Sequence, residues 1–516
     1  MQLNKTKTYQ KGAFRVKKNN NKVMAKCKRK IAKRIKRKQW ENQPKPMFTA
    51  SNIHYEMDGR HEGIACGGIG AIHLMNKNSG FVEEIDSALH LLKRHLPYHE
   101  SDHVLNIAYN VIAGGTRLED IELQRQDEAW LDAVGAEIIP DPTTAGDFLR
   151  RFSEENIIEL MEAANTTRRK VWSKQPKAFF KKAILNVDGL IAETTGECKQ
   201  GMDISYNGIW GYAPLIISLE KTREALYLVN RSGNAPSHLD SAQWIDRSLD
   251  LVSDTFKEVW IRGDTDFSLT AHFDKWDERC KFVFGIDARK NLIAIADSIP
   301  EEQWETLERK LKYKVKTKKR KRPENVKERI VKERGFKNIR TVSEHVAEFD
   351  YRPVKCKKPY RVVVLRKNLT VEKGDLALFD DIRYFFYITN DRLMTPQEVV
   401  YFSNERCDHE NDIEQLKNGV NAMRMPVDDL LSNWAYMVIA SLAWNMKAWY
   451  GLLTPNKVLG HQIVRMEFKR FINTFIKIPC LIIKTGRRIV YRLVCYNSYM
   501  KDFFRTFAAI KTMQFA

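Results

Sequence analysis

Five short runs rich in β-branched, aliphatic and aromatic residues limit the folds open to this chain more than any other feature. They are Ala183 to Val187, Leu215 to Leu219, Ala225 to Val229, Val259 to Ile261 and Lys281 to Ile286. One amphipathic stretch, Ser241 to Phe256, lies between the third run and the fourth. Runs of this length and composition predict strands, and the amphipathic stretch predicts a helix packed on them.

Three consecutive strands, a helix and then more strands is the order of a ribonuclease-H-like fold, an α/β class. In that order Asp188 ends the first strand and Asp264 follows the fourth, which makes them neighbours at the middle of the sheet. Asp266 lies close enough in sequence to compete with Asp264. A third acid, Glu410, sits in the segment Glu405-Arg-Cys-Asp-His-Glu-Asn-Asp-Ile-Glu-Gln-Leu-Lys417. Just upstream, Thr395-Pro-Gln-Glu398 has the pattern of a helix start, with threonine as N-cap, proline at N1 and glutamate at N3. A helix over Asn404 to Asn418 would put Arg406, Glu410, Ile413 and Lys417 on one face, at i, i+4, i+7 and i+11. Carboxylates at strand ends and on an adjacent helix converge on two divalent cations in sites for in-line displacement at phosphorus. The plainer reading of Arg406, Glu410 and Lys417 is a surface salt-bridge ladder.

The chain of 516 residues has room for about three domains. Its formal net charge is +21. Lys5 to Lys45 contains one acid, Glu41, and groups Lys26, Lys28, Arg29 and Lys30 with Lys33, Arg34, Lys36, Arg37 and Lys38 around Ile31 and Ala32. Such an arm buries no core alone and is expected to lack regular structure until phosphate orders it. A second basic run, Lys310 to Arg322, holds nine Lys and Arg without an acid and ends in Lys318, Lys319, Arg320, Lys321 and Arg322. Both runs point to a polyanionic partner, double-stranded DNA.

From about residue 80 to 175 the apolar spacing is helical: Ile85, Leu89, Leu92 and Leu96, then Leu105, Ile107, Val111 and Ile112. Pro140-Asp-Pro-Thr-Thr144 punctuates the chain before Ala145 to Phe152, and Ser153 is expected to cap the run Ile157, Ile158, Leu160 and Met161. Asp264 and Glu410 stand 146 positions apart, so an insertion is expected. It contains Trp304, the second basic run and the strand-like segments Tyr360 to Leu365 and Tyr384 to Thr389. Eight cysteines without a Cys-x-x-Cys pair argue against zinc-ribbon and disulfide frameworks and suit a reducing cytoplasm. No apolar h-region follows the first basic residues, so no secretory signal is expected. Leu430 to Met446, interrupted by Ser432, Asn433, Ser441 and Asn445, reads as a buried helix rather than a membrane span.

These residues resemble a known family. Asn186-Val-Asp188, Arg262-Gly-Asp264, Tyr401 with Arg406, Glu410 and Lys417, and Asp141-Pro-Thr-Thr-Ala-Gly-Asp-Phe-Leu-Arg-Arg-Phe152 are similar to bacterial insertion-sequence transposases of the DDE type. Within these they resemble the 1380 group, related to the insertion sequence 4 superfamily. The resemblance runs from about residue 60 to 450. It implies a ribonuclease-H-like catalytic domain with a β-rich insertion, acting as a homodimer or larger assembly on terminal inverted repeats and target DNA. It also implies two Mg²⁺ ions, replaceable by Mn²⁺, held by Asp188, Asp264 and Glu410, with Tyr401, Arg406 and Lys417 on phosphate near the cut. Related families place the tyrosine three residues before the arginine, where this chain has Ser403.

The implied activity is strand cleavage at the element's ends, exposing a 3′-hydroxyl that attacks target DNA, in a bacterial cytoplasm and associated with the nucleoid. The alternatives are a transposase-derived DNA-binding protein without catalysis and a ribonuclease-H-like nuclease. The expected division is a basic arm over 1–45, a helical DNA-binding or dimerisation domain over 46–178 and a catalytic core over 179–290 and 383–450. The β-rich insertion would occupy 291–382, and a basic C-terminal region 451–516. Cys407 and His409 suggest a soft-metal pair, but their positions point to different helix faces and favour structural roles. Trp304 reads as a packed side chain ahead of a base-stacking one.

Overall fold

A computed structural model describes residues 18–36, 50–56, 58–95, 97–196, 198–309, 326–373, 376–486 and 488–514. Part of the basic arm is helical where no regular structure is expected: α1 spans Lys18–Lys36. Its lysines, arginines and alanines have high intrinsic helix propensity. Lys33, Arg34 and Lys36 in its last turn meet the negative end of the helix dipole. Lys28, Arg29 and Lys30 are exposed on it. The rest of the arm lies outside the described residues, as do Lys318, Lys319, Arg320, Lys321 and Arg322.

After a short strand β1 (Glu62–Ile64), a helical layer is built from α2 (Ile69–Asn78), α3 (Phe81–Ala88), α4 (Glu100–Ala113), α5 (Pro142–Leu149) and α6 (Glu154–Ser173). The spacing of Ile85, Leu89 and Leu92 suggests one continuous helix, but α3 ends at Ala88 and Leu89 is extended. The Glu100 carboxylate accepts from the N–H groups of Leu91 and Leu92, both at 3.0 Å, which takes those donors out of any helix, and Pro97 follows. The expected cap at Ser153 is present, and Asp141 supplies a second. Asp141 accepts from Thr144 N at 2.9 Å to cap α5, and Ser153 accepts from Asn156 N to cap α6.

Among the described residues the mixed sheet contains nine strands. In chain order these are β2 (Lys182–Gly189), β3 (Leu215–Leu219), β4 (Glu224–Val229), β5 (Glu258–Gly263), β6 (Lys281–Ile286), β7 (Glu305–Thr306), β8 (Lys337–Tyr351), β9 (Tyr360–Lys373) and β10 (Leu376–Thr389). Across the sheet the order is β7-β8-β9-β10-β6-β5-β2-β3-β4. The pairs β2/β5 and β5/β6 are parallel and all others antiparallel. Helix α7 (Ser241–Ser253) crosses from β4 to β5 and packs on the sheet.

The segment between the second and third acids continues the same sheet outward from β6, and the 382/383 division falls inside β10. The unalternating run Val362-Val-Val-Leu365 in β9 follows from cover on both faces. Val362 and Val364 join the main core, while Val363 and Leu365 pack with Val399, Val400 and Phe402 in a second one.

Beyond the sheet come α8 (Pro396–Asn404), α9 (Cys407–Glu414), α10 (Leu430–Leu453) and α11 (Lys457–Arg465), then the hairpin β11 (Cys480–Thr485) and β12 (Arg488–Leu493), and α12 (Met500–Thr512). Helix α10 is buried along almost its whole length, between α4 and α6 on one side and β4 on another. That position explains why it is apolar all round. Its amides are satisfied: Asn445 exchanges two hydrogen bonds of 3.0 Å with the backbone of Ala225, and Asn433 donates to Val427 O and Asp429 O. Among the described residues no helix is long and apolar enough to cross a membrane. The last segment folds back on the first, since β11 pairs with β1 and α12 packs on α2. α2, α4 and α6 from the first part of the chain and α11 and α12 from the last therefore pack around the same helix, α10.

Candidate active site

Strands β2 and β5 run side by side in parallel, with Asn186 opposite Arg262, so their carboxyl ends emerge together. Asp188 is the next-to-last residue of β2 and Asp264 the first after β5. Asp264 caps the 3₁₀ turn Thr265–Phe267 by accepting from Asp266 N at 3.1 Å. The next strand, β6, passes close beneath this turn because of Gly285: a Cβ there would lie 3.1 Å from Thr265 N. Asp266 is exposed, and Asp264 is the aspartate of this turn that faces Asp188 through a shared arginine.

That arginine is Arg406. Its Nη1 lies 2.8 Å from Asp188 Oδ2 and 3.9 Å from Asp264 Oδ2. Burial pushes Asp188 up to about 6, with Arg406 pulling it down and Asp264 and Glu410 repelling it upward. Asp264 is raised too, by burial first, against Arg406, with Asp266 adding repulsion. A pair of carboxylates in this state favours a neighbouring cation, and the guanidinium supplies one.

The single helix expected over Asn404 to Asn418 is in fact broken twice. α8 begins as the sequence indicates, Thr395 and Glu398 forming a capping box around Pro396. It ends at Asn404, Arg406 is the N-cap of α9, and Gln415–Gly419 forms a π-helical turn. Arg406 and Glu410 therefore lie one turn apart at the start of α9, with Arg406 directed inward to the aspartates. Lys417 is exposed on the wider turn, out of register with the expected i+11 face. Tyr401 lies on α8 and donates its hydroxyl to Glu308 O.

Glu410 is exposed, while the residues flanking it are anchored. His409 is fully buried with Nδ1 3.0 Å from Ser218 Oγ on β3, and burial together with Arg406, Arg262 and Arg223 pushes it down to about 3. It is thus a neutral structural histidine, as its sequence position favours. Asp412 accepts from Arg223 Nη1 through both oxygens at 3.1 Å. Arg223 has φ of 60° in the turn after β3, a conformation unusual for a branched or long side chain. Neither Arg223 nor Asp412 stands out in the sequence. The one available signal is Arg262, a charge inside the apolar strand Glu258-Val-Trp-Ile-Arg-Gly263. Trp304 is packed, with the Arg366 guanidinium 4.2 Å above its ring.

Among the described residues, one set of potential ligands has all its donor atoms within 4.8 Å: His95, His99 and Glu100, away from the acids. It lies at the N-terminus of α4, where the helix dipole disfavours a cation. Glu100 there already accepts from two backbone N–H groups and lies 3.0 Å from His95 Nε2. This arrangement is a hydrogen-bonded helix start.

Comparison with known proteins gives one family match, described as "Transposase DDE domain group 1", over residues 45–515. No curated protein matches. Among solved structures the chain is similar to a piggyBac transposase synaptic complex with hairpin DNA determined by cryo-EM. The identity is 12%, covering 80% of this chain and 81% of that one, with a TM-score of 0.36.

Proposed function

The chain belongs to the DDE-domain transposases, and from that premise we propose that it cleaves DNA at the terminal inverted repeats of an insertion sequence of the 1380 group and joins the freed ends to target DNA. The single observation carrying this reading is the meeting of Asp188 and Asp264 at the ends of adjacent parallel strands on one guanidinium, with Glu410 one turn beyond it. The strand sequence β4-β3-β2-β5-β6, antiparallel on one side of β2 and parallel on the other, supports a ribonuclease-H-like core.

The donor set fits Mg²⁺ or Mn²⁺: hard carboxylate oxygens around a place where the fold already holds a positive charge. Asp188, Asp264 and Glu410 would be the ligands. The chemistry such ions supply when bound is activation of a water or 3′-hydroxyl and stabilisation of the leaving oxygen. Arg406 first holds the two aspartates ionised and close, then, released from them, has the length to reach a phosphate beside the scissile bond. Tyr401 and Lys417 flank that phosphate path. α1, with Lys28, Arg29 and Lys30, and the run Lys318 to Arg322 hold the DNA through phosphate contacts. The acting species is a homodimer or larger assembly on double-stranded DNA, in a bacterial cytoplasm and at the nucleoid. The helical layer around α10 is the DNA-binding and dimerisation platform.

Asp188→Asn, Asp264→Asn and Glu410→Gln should each reduce cleavage of end-containing duplex by more than about a thousandfold while leaving its binding within about twofold. Cleavage retained in Asp264→Asn and lost in Asp266→Asn would move the second ligand by two residues. Cleavage retained in all three would leave a DNA-binding protein without this site.

A further inference from the structure

Arg262 is 1% exposed, and its one guanidinium ties the strand before Asp264 to the strand that carries Asp188 and to the end of α8, the helix just before the one that carries Glu410. It belongs to β5, two residues before Asp264. Its Nε donates to Asn186 Oδ1 at 2.9 Å, and Asn186 stands two residues before Asp188 on β2. Its Nη1 donates to Phe402 O at 2.7 Å, in the last turn of α8.

That third bond falls where the path to Glu410 is decided. The closing carbonyls of a helix have no intrahelical partner. At the end of α8, Glu405 N bonds to Tyr401 O and Arg406 N bonds to Ser403 O, so the Phe402 carbonyl is passed over by the Arg406 N–H that a continuing helix would give it. Arg262 takes that carbonyl, packs its guanidinium 5.0 Å from the Phe402 ring, and lies 3.8 Å from Glu405. The break after α8, which turns Arg406 inward and starts α9, is thereby tied to the two central strands. A planar fork with donors at fixed angles can hold an amide oxygen and a carbonyl on different elements together; a lysine ammonium is a single point.

We propose that Arg262 is a positioning residue that sets the separation of Asp188, Asp264 and Glu410, through Asn186 on one side and Phe402 O on the other, without touching DNA or metal itself. This rests on the reading that the three acids form the catalytic metal site.

The test compares Arg262→Lys, Arg262→Gln and Asn186→Ala with wild type and with Asp188→Asn. Mn²⁺ binding to the full-length protein is followed by electron paramagnetic resonance, and end cleavage by kcat and KM. Partners that orient ligands typically carry about 10–100-fold in metal affinity or activity. Arg262→Gln and Asn186→Ala should therefore weaken Mn²⁺ binding at least about tenfold and lower kcat similarly, with KM for end DNA unchanged. Arg262→Lys should recover part of both. If Arg262→Gln does not fold, Asn186→Ala, which keeps the arginine and removes one acceptor, decides. Wild-type Mn²⁺ affinity and kcat per folded molecule in Asn186→Ala would overturn the proposal, and so would a raised KM at constant kcat. Wild-type Mn²⁺ affinity in Asp188→Asn would instead overturn the metal-site reading, whatever Arg262 does.

Discussion

Two arginine–carboxylate pairs lie on the same sheet and behave differently. At one, Glu224 on β4 accepts from Arg168 Nε at 2.9 Å and Trp449 Nε1 at 2.7 Å through one oxygen, and from Trp172 Nε1 at 2.9 Å through the other. Arg168 also donates to Ala225 O and to Asn165. Both side chains are at most 1% exposed. At the other, Asp188 meets Arg406 alone among the side-chain donors of the described residues, Arg406 is 25% exposed, and burial leaves the carboxyl raised to about 6. The first pair joins α6, β4 and α10 with its acceptors filled. The second keeps acceptor capacity open, at a cost in stability, and that opening is what a cation or phosphate can use. A buried pair marks structure when it is saturated and a site when it is not.

The comparison breaks first, and with the largest effect, at Glu224. Glu224→Gln leaves Arg168 buried without its counter-charge and should cost about 3–5 kcal/mol in urea unfolding. A cost below about 1 kcal/mol would remove the contrast. At Asp188 the sign reverses. Asp188→Asn should stabilise the protein by about 1–3 kcal/mol at pH 8, because each unit of upward carboxyl shift is worth about 1.4 kcal/mol against the ionised form. A lower stability in this variant would mean that Arg406 fully repays the burial of the charge.

Acidity sharpens the same point. A carboxyl whose folded pKa, about 6, lies above its unfolded value of 3.8 takes up its proton in the native state first. Wild type should therefore gain on Asp188→Asn as pH falls below about 6, and the gap should close near pH 4, read from unfolding midpoints of both proteins across that window. Arg406→Gln should cost about 1–2 kcal/mol near neutral pH, less than Glu224→Gln because the arginine is partly exposed and Asp188 can take up a proton in compensation. It should still reduce cleavage several-fold; normal cutting by this variant would return Arg406 to a purely structural pairing. The smallest effect belongs to the arm. Removing residues 1–45 should flatten the salt dependence of DNA binding by about 0.9 in log–log slope per lost phosphate contact, and an unchanged slope would deny it a DNA role.

Strands β2 to β6 and the placing of Asp188 and Asp264 beside their ends were legible because short β-rich runs stopped at or just before these acids, and Thr395-Pro-Gln-Glu398 announced its helix through local chemistry alone. The breaks around Glu410 were not. Periodicity assumed 3.6 residues per turn across Arg406 to Lys417, whereas the Phe402 carbonyl meets Arg262 and the π turn at Gln415–Gly419 meets Phe468 N through Gln415 Oε1, both far away in sequence. The packing of the last segment is hidden from composition for a similar reason. Composition marks 451–516 as basic, but Ile482, Met500, Phe503 and Ile510 are buried against helices from the other end of the chain.

Helix α10 also sets an order of events during synthesis. α4 ends at Ala113 and its buried partner begins at Leu430, about 320 residues later. At roughly 5–20 residues per second, the apolar faces of α4 and α6 wait on the order of 15–60 s for the helix that covers them. β6 likewise waits for β10 before its outer edge is paired. Contacts of such long range make folding slow. They also separate the acids in time, because a growing chain that already displays Asp188 and Asp264 has neither Glu410 nor α10 until those residues are made, so on the proposed reading cutting waits for them.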